Sequence, residues 1–400
     1  MAARMISPEL RIANHLLLSK ETTTGSYKNV VFSPLSIRLM LSIIAAGSNG
    51  PVRDQLLSFL RSQSMEDLNG IASWLFSSVL VDSSSSGGSC LSFANGVWFD
   101  KPLSLKPSFL HVLENIYNPT LASLDFANKD EVAQEINTWA KRETRGLIDN
   151  IIKPASIELK NMIMANAIYF KGLWRNSWTF RESETVDGDF HLLDGSDTVK
   201  VPFMNGSHHQ DAYAIVHQGF KILTLPYKNG DQDFTTNNFS MHIFLPDEVN
   251  GLTDLVQKVC SESIYLESIL PKSLQSVGKV KIPKFKLSFE FKACSMLKKM
   301  GLVLPFMEGA LTEMVEDIPV QVSEMIQKCI IEVNEQGTKA AATVRTSYSP
   351  GSAWIVEKPP PPMDFVADHP FLFLITGQFA ATTLFMGQVL NPLDEGGFNM

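Results

Sequence analysis

Two hydrophobic periods divide the chain. Over the first third, apolar positions recur every three or four residues, the spacing of helix faces. Ile12, Leu16 and Leu17 mark one face of a short helix. Ser33 is a good N-cap and Pro34 suits the first helical position, so a helix is expected over 35–46, stopped by Gly47. It is apolar almost all round and should be buried. Phe109, Val112, Leu113 and Ile116 predict a second helix after Pro107. Val132, Ile136 and Trp139 predict a third, ending near Gly146. The run 83–89, all Ser and Gly, predicts a surface loop.

From about residue 161 the period changes. Residues 162–170 (MIMANAIYF) are apolar at both alternating sets of positions, which predicts a strand covered on both faces. Residues 239–245 read the same way and are stopped by Pro246. In 277–287, Val280 and Ile282 alternate with Lys279 and Lys281, and Pro283 predicts a bent or edge strand. Residues 289–300 predict a return to helix, closed by Gly301. Two strands, 371–375 and 383–390, joined around Gly377, end the chain. Helices first and strands later describe an α+β protein.

One stretch, 335–362, fits neither element. It follows an expected strand at 329–333 and carries few large apolar residues, as an exposed loop does. Yet Thr338, Ala340, Ala342, Val344, Thr346 and Tyr348 alternate with Lys339, Ala341, Thr343, Arg345 and Ser347. The first set is uncharged and the second holds both charges, which is the pattern of a half-buried strand. The four prolines 359–362 favour stiff, extended chain that cannot donate ladder hydrogen bonds. A loop of about 30 residues inside a compact chain is uncommon and usually functional or disordered.

Composition removes several alternatives. The chain has 400 residues, 44% hydrophobic and 19% charged, enough for a large core. With 34 basic and 42 acidic residues the net charge is −8, so a nucleic-acid partner is not expected. Cys90, Cys260, Cys294 and Cys329 are far apart without a CxxC pair, which argues against a zinc site or disulfide framework and fits a reducing compartment. The first 20 residues carry no signal-peptide pattern, and no run of about 18 apolar residues exists to span a membrane. The expectation is a cytoplasmic or nucleocytoplasmic protein. No GxSxG, HExxH, Walker or GxGxxG motif is present, so no catalytic residue, metal or cofactor is expected. His208, His209 and His217 could ligate a metal, but a solvated pair is the favoured reading. Asp368-His369 resembles a triad fragment, for which a structural role is favoured.

With these residues in view, nearly the whole chain resembles the serpin family. The stretch 335–342 (EQGTKAAA) is similar to the family's hinge. Residues 29–37 (NVVFSPLSI) resemble the shutter region under the main sheet. Residues 136–139 with 144–148 resemble the helix that crosses that sheet, and Asn166 with 170–174 (FKGLW) the strand leading to the breach. Pro283-Lys284-Phe285 and 367–371 are similar to late motifs, and 364–371 to plant members.

The resemblance implies a single domain over 1–400 with about nine helices, three β-sheets, a metastable native state and a reactive-centre loop at 335–362. It implies a monomeric inhibitor that acts as a suicide substrate. A serine protease cleaves the loop, is held as an acyl-enzyme, and is displaced as the loop enters the main sheet. The implied hinge residues are Glu335, Gly337, Thr338, Ala340, Ala341 and Ala342. The shutter residues are Asn29, Ser33, Ser36 and Gln327, and the breach residue is Trp174. Gln327 stands where the family has a titratable histidine, and Lys339 where it has an acid. Counting sixteen positions from Glu335 places the cut at Gly351–Ser352. Counting back from Phe365 gives Trp354–Ile355 instead. The first suits an elastase-like enzyme and the second a chymotrypsin-like one, with papain-like cysteine proteases a further class. The family also leaves an extracellular location open. The alternative function is a non-inhibitory carrier, chaperone or decoy substrate.

Overall fold

The computed structural model describes residues 7–19, 28–157, 162–175, 180–193, 195, 197–206, 210–229, 238–261, 266, 268–316, 319–335, 362–377 and 382–396. In chain order the helices are α1 (Pro8–Leu17), α2 (Pro34–Ala46), α3 (Gly50–Leu60), α4 (Met65–Trp74), α5 (Pro107–Val112), α6 (Lys129–Glu143), α7 (Leu252–Cys260) and α8 (Ala293–Lys299). The strands are β1 (Val30–Phe32), β2 (Cys90–Asp100), β3 (Thr120–Leu124), β4 (Met162–Lys171), β5 (Val186–His191), β6 (Thr198–Gly206), β7 (Gln210–His217), β8 (Phe220–Pro226), β9 (Phe239–Pro246), β10 (Leu274–Pro283), β11 (Phe285–Lys292), β12 (Glu324–Val333), β13 (Met363–Val366), β14 (Phe371–Gly377) and β15 (Thr383–Val389). About nine helices were expected; eight α-helices lie among the described residues.

The site is built on a five-stranded sheet in the order β11-β12-β4-β2-β3. The remaining strands follow one path, β1-β15-β14-β9-β8-β7-β10-β6-β5, with β13 parallel to β10. The third expected sheet is joined to the second through β10. Its first half, from Leu274 to Val277, pairs with β7, and its second half, from Val280 to Pro283, pairs with β6.

The apolar run of β4 is explained by its two coverings. Met162, Met164, Ile168 and Phe170 enter the large core that also holds α2 and the second sheet. Ile163, Ala165, Ala167 and Tyr169 enter a separate cluster beneath α6, with Ile136, Trp139 and Ala140. Each face of a strand takes alternate residues, so two covered faces require apolar residues at both sets of positions. α2 has the expected bounds: Ser33 Oγ accepts from Ser36 N at 3.2 Å, Pro34 opens the helix and Gly47 ends it.

The expectation for 277–300 is corrected. The bent strand is two strands in different sheets, β10 ending at Pro283 and β11 beginning at Phe285. Helix starts only at Ala293, because Phe285, Leu287, Phe289 and Phe291 alternate with Lys286, Ser288, Glu290 and Lys292 at the period of a strand.

Candidate functional site

At the centre of the five-stranded sheet, β12 and β4 run parallel, in register from Glu324↔Ile163 to Glu332↔Lys171. β12 then delivers the chain to Glu335, the last described residue before the segment 336–361. The expected hinge positions Gly337, Thr338, Ala340, Ala341 and Ala342 and both reactive bonds, Gly351–Ser352 and Trp354–Ile355, lie outside the described residues.

Several side chains hold the end of the β4–β12 seam. Glu332 Oε1 is 3.2 Å from Lys171 Nζ on the facing strand and accepts from Asn334 Nδ2 at 2.6 Å. Trp174 Nε1 donates to Asn334 O at 3.0 Å. The Trp174 ring stacks on Tyr227, centroids 4.6 Å apart at 10°. Gly172 makes room for that stack, since a Cβ there would lie 1.9 Å from Tyr227 Cε1. Trp174 therefore ties the chain just after β4 to the chain just after β12.

Glu335 is only 4% exposed. Thr185 Oγ1 donates to its Oε1 at 2.6 Å, and Lys284 Nζ is 2.8 Å from its Oε2. Burial acts to raise its pKa, but the hydrogen bonds from Lys284 and Thr185 outweigh it and hold the carboxyl below the usual range. Two segments remote in sequence thus fix Glu335, the first residue of the expected hinge.

Midway along the seam, Gln327 faces Asn166 on β4, which faces Asn95 on β2. The Gln327 side chain brackets the backbone of one residue: its Oε1 accepts from Ser33 N at 2.9 Å and its Nε2 donates to Ser33 O at 3.0 Å. Ser33 and Gln327 are therefore together, with Ser36 one turn along. Asn29 acts elsewhere: its Nδ2 donates to Asn391 O and Asp394 O at 2.7 and 2.6 Å, and its Oδ1 accepts from Leu390 N at 2.6 Å. Asn166 Nδ2 donates to Asn95 Oδ1 at 2.9 Å, but Asn166 Oδ1, Asn95 Nδ2 and Ser36 Oγ are buried without a hydrogen-bond partner.

The other candidate chemistry does not assemble. His208 and His209 lie outside the described residues. His217 stacks on Phe220, and its Nε2 is 2.9 Å from Ile269 O. His369 has Asp368 Oδ1 at 2.8 Å on one ring nitrogen and Pro246 O at 2.7 Å on the other, so neither is left to act as a base. Among the described residues no cluster of His, Cys, Asp and Glu could hold a metal, and no helix is long and apolar enough to cross a membrane. None of the four cysteines is in a disulfide.

A closed sheet with a parallel central seam, and a long segment issuing from one end of it, is the architecture of the serpins, and the comparisons agree. The family model described as "Serpin (serine protease inhibitor)" matches residues 12–392. The chain belongs to this family. Among its relatives, Serpin-ZX of Arabidopsis thaliana is 44% identical over 391 residues, covering 96% of each protein. Serpin-ZXA of Oryza sativa subsp. japonica is 43% identical over 398 residues, covering 98% of this chain and 97% of its own. The structure of Arabidopsis AtSerpin1 in its native stressed conformation superposes with a TM-score of 0.85 at 43% identity, over 96% of each chain. The likeness to plant members read from 364–371 is matched by these relatives.

Sequence reasoning missed Thr185, Glu332 and Tyr227. Glu332 had a readable signal: a lone carboxylate one residue from the end of an apolar strand. Thr185 and Tyr227 had none, because their partners are set by the fold.

Proposed function

We propose that the protein inhibits endopeptidases as a suicide substrate, with 335–362 as the bait and the β4–β12 seam as the trap. The observation that carries this reading is the seam itself. Its strands are parallel neighbours, and the chain leaves β12 at the end of the seam beside Trp174. A strand turning back from Glu335 runs antiparallel to both β12 and β4. It replaces one parallel ladder by two antiparallel ones, the slightly stronger pairing. The small residues Thr338, Ala340 and Ala342 enter between packed strands without displacing volume.

In this scheme the serine Oγ of the target attacks the carbonyl carbon of Gly351. The peptide bond to Ser352 breaks, its nitrogen leaves as an amine carrying a proton supplied by the enzyme, and an ester joins the two proteins. Strand entry then carries the ester away before water attacks it. Gly351 is preferred to Trp354 because loop length before the cut sets how far the enzyme travels. The catalytic groups belong to the target, and one monomeric domain supplies both bait and trap. Four cysteines outside any disulfide suit a reducing compartment such as the cytoplasm.

The test is incubation with elastase-, chymotrypsin- and papain-type enzymes. A covalent band on a denaturing gel is expected with at least one of them. The released C-terminal peptide should begin at Ser352, or at Ile355 if Trp354 is the residue cut. Thr338→Arg places a charged, bulky side chain where entry begins, and should give clean cleavage with no adduct. A denaturant-stable adduct from that variant would sink the insertion mechanism.

A further inference from the structure

β8, β9 and β14 lie side by side in the second sheet, and a polar row crosses them. Thr224, His242 and Leu374 are direct cross-strand neighbours, with Thr376 further along β14. His242 is 6% exposed. Its Nδ1 is 2.8 Å from Thr224 Oγ1, and its Nε2 is 2.8 Å from Thr376 Oγ1. In a neutral imidazole one ring nitrogen donates and the other accepts from a hydroxyl. Neutral His242 therefore satisfies both threonines, and each hydroxyl ties a different strand to β9.

The elements around the ring bring no charge to it. Tyr213 of β7, across from Thr224, is an exposed phenol and uncharged in acid. α7 packs on β9 and β14 and buries Leu255, Val256 and Cys260. Burial pushes the Cys260 thiol up to about 12, so it too is uncharged. Asp254 and Lys258 of α7 are exposed, and Lys258 Nζ reaches Gln218 O at 3.3 Å. Burial alone lowers the pKa of His242 from 6.5 to about 4. A charged ring here would lack a carboxylate partner, and the hydroxyl that donated to it would have to turn its hydrogen elsewhere.

The tie lies behind β4. Thr376 sits where the register of β14 against β15 shifts, between Ile375 and Thr376. Beside it Gly377 pairs with Phe239 of β9, and Phe239 meets Phe170 of β4 edge-on, centroids 5.8 Å apart. We propose that the tie from Thr224 through His242 to Thr376 is an acid-sensitive catch: neutral His242 holds β8 and β14 to β9 behind the seam, and its protonation loosens them, so that the uncleaved chain loses its native form in acid. The catch itself stands apart from the inhibitory reading; that acid thereby disarms an inhibitor rests on it. An opened chain takes up the proton at the ordinary value of 6.5 and the closed chain only near 4. Closure therefore weakens as pH falls from the first value to the second, and is unaffected above it.

The test compares the full chain with His242→Gln, whose amide can donate and accept but does not titrate. Amide protection over 222–224, 241–243 and 374–376 is measured at neutral pH and about two pH units below 6.5. Over that interval wild type should lose roughly 50- to 100-fold more protection than H242Q. Glu335, Asp82, Asp368, His15 and Glu290 also titrate with shifted values, but they are common to both chains and cancel in the difference. Equal losses in the two chains overturn the catch. If H242Q does not fold, the C2 hydrogen exchange of His242 is followed in wild type. Titration near 4, with protection of the three strands falling above that point, supports the catch; titration near 6.5, or protection indifferent to pH, overturns it. Wild type held in acid and returned to neutral pH should form less covalent complex with the enzymes named above than H242Q treated in the same way. If untreated wild type forms no complex with any of them, the inhibitory reading falls, and the exchange data still decide the catch.

Discussion

Gln327 is fully buried, and its amide pairs with both backbone polar groups of Ser33. An amide does not titrate, so this link between β12 and the start of α2 is insensitive to pH. Gln327→Ala removes both hydrogen bonds to Ser33, and the one its Oε1 accepts from Cys329 Sγ, and leaves Ser33 N–H short of an acceptor. The expected loss is about 2–3 kcal/mol in chemical denaturation, and a loss below about 0.5 kcal/mol would contradict the role given to the bracket. Glu290 behaves oppositely. Burial raises its pKa from 4.5 to about 7, against the opposing pull of Lys328, Lys153 and Lys292. Lys292 is itself engaged with Glu324 at 2.9 Å. Between those two values the folded chain holds a proton that the unfolded chain has released. Stability from this group therefore falls as pH rises through the window and levels off above it. In Glu290→Gln that decline is absent. The stability of the variant relative to wild type should rise from pH 5 to pH 7 by on the order of 2 kcal/mol and then stay flat; a difference independent of pH contradicts the assignment. Glu335 has the reverse sign: its pKa is depressed, so its contribution is present above 4.5 and lost as pH falls through its folded value.

At the scale of elements, the end of the seam depends on the close approach of β4's exit to Tyr227. Gly172→Ala drives a methyl group into the Tyr227 ring and must displace the Trp174–Tyr227 stack. The expected cost is about 1–3 kcal/mol, with faster amide exchange at Asn334 and Glu335; unchanged exchange there would contradict the coupling between stack and hinge. The elements themselves were unevenly legible. α2 could be read to the residue because Ser33, Pro34 and Gly47 mark its ends chemically. The strand character of β4 could be read because both its faces are covered. Residues 285–292 were misread because Pro283 reads as a bend within one strand, when it is the last residue before the chain changes sheets. The partners of Glu335 were not legible: Thr185 is 150 residues away, and no local pattern announces a pairing made only by sheet packing. The expected hinge rests on its wording alone, whereas the contacts of Glu335 are visible only in the geometry.

For the molecule as a whole, the five-stranded sheet is closed but polar along its middle. Asn95, Asn166 and Gln327 lie side by side across three strands, and two of the amide atoms are buried without partners. Each such atom costs roughly 1–3 kcal/mol relative to a satisfied one. These atoms lie on β2 and on β4, the latter lining one side of the seam that the proposed mechanism would open. Entry of a strand of some ten residues adds ladder hydrogen bonds on both sides. At about 1 kcal/mol per bond and roughly 2 °C per kcal/mol for a large domain, the inserted form should melt far above the native one. The most direct test of this account is thermal unfolding before and after a single cut within 335–362. The midpoint should rise by about 20 °C or more once the loop is cleaved. An unchanged or lower midpoint would contradict it, leaving the chain a substrate or carrier whose sheet does not open.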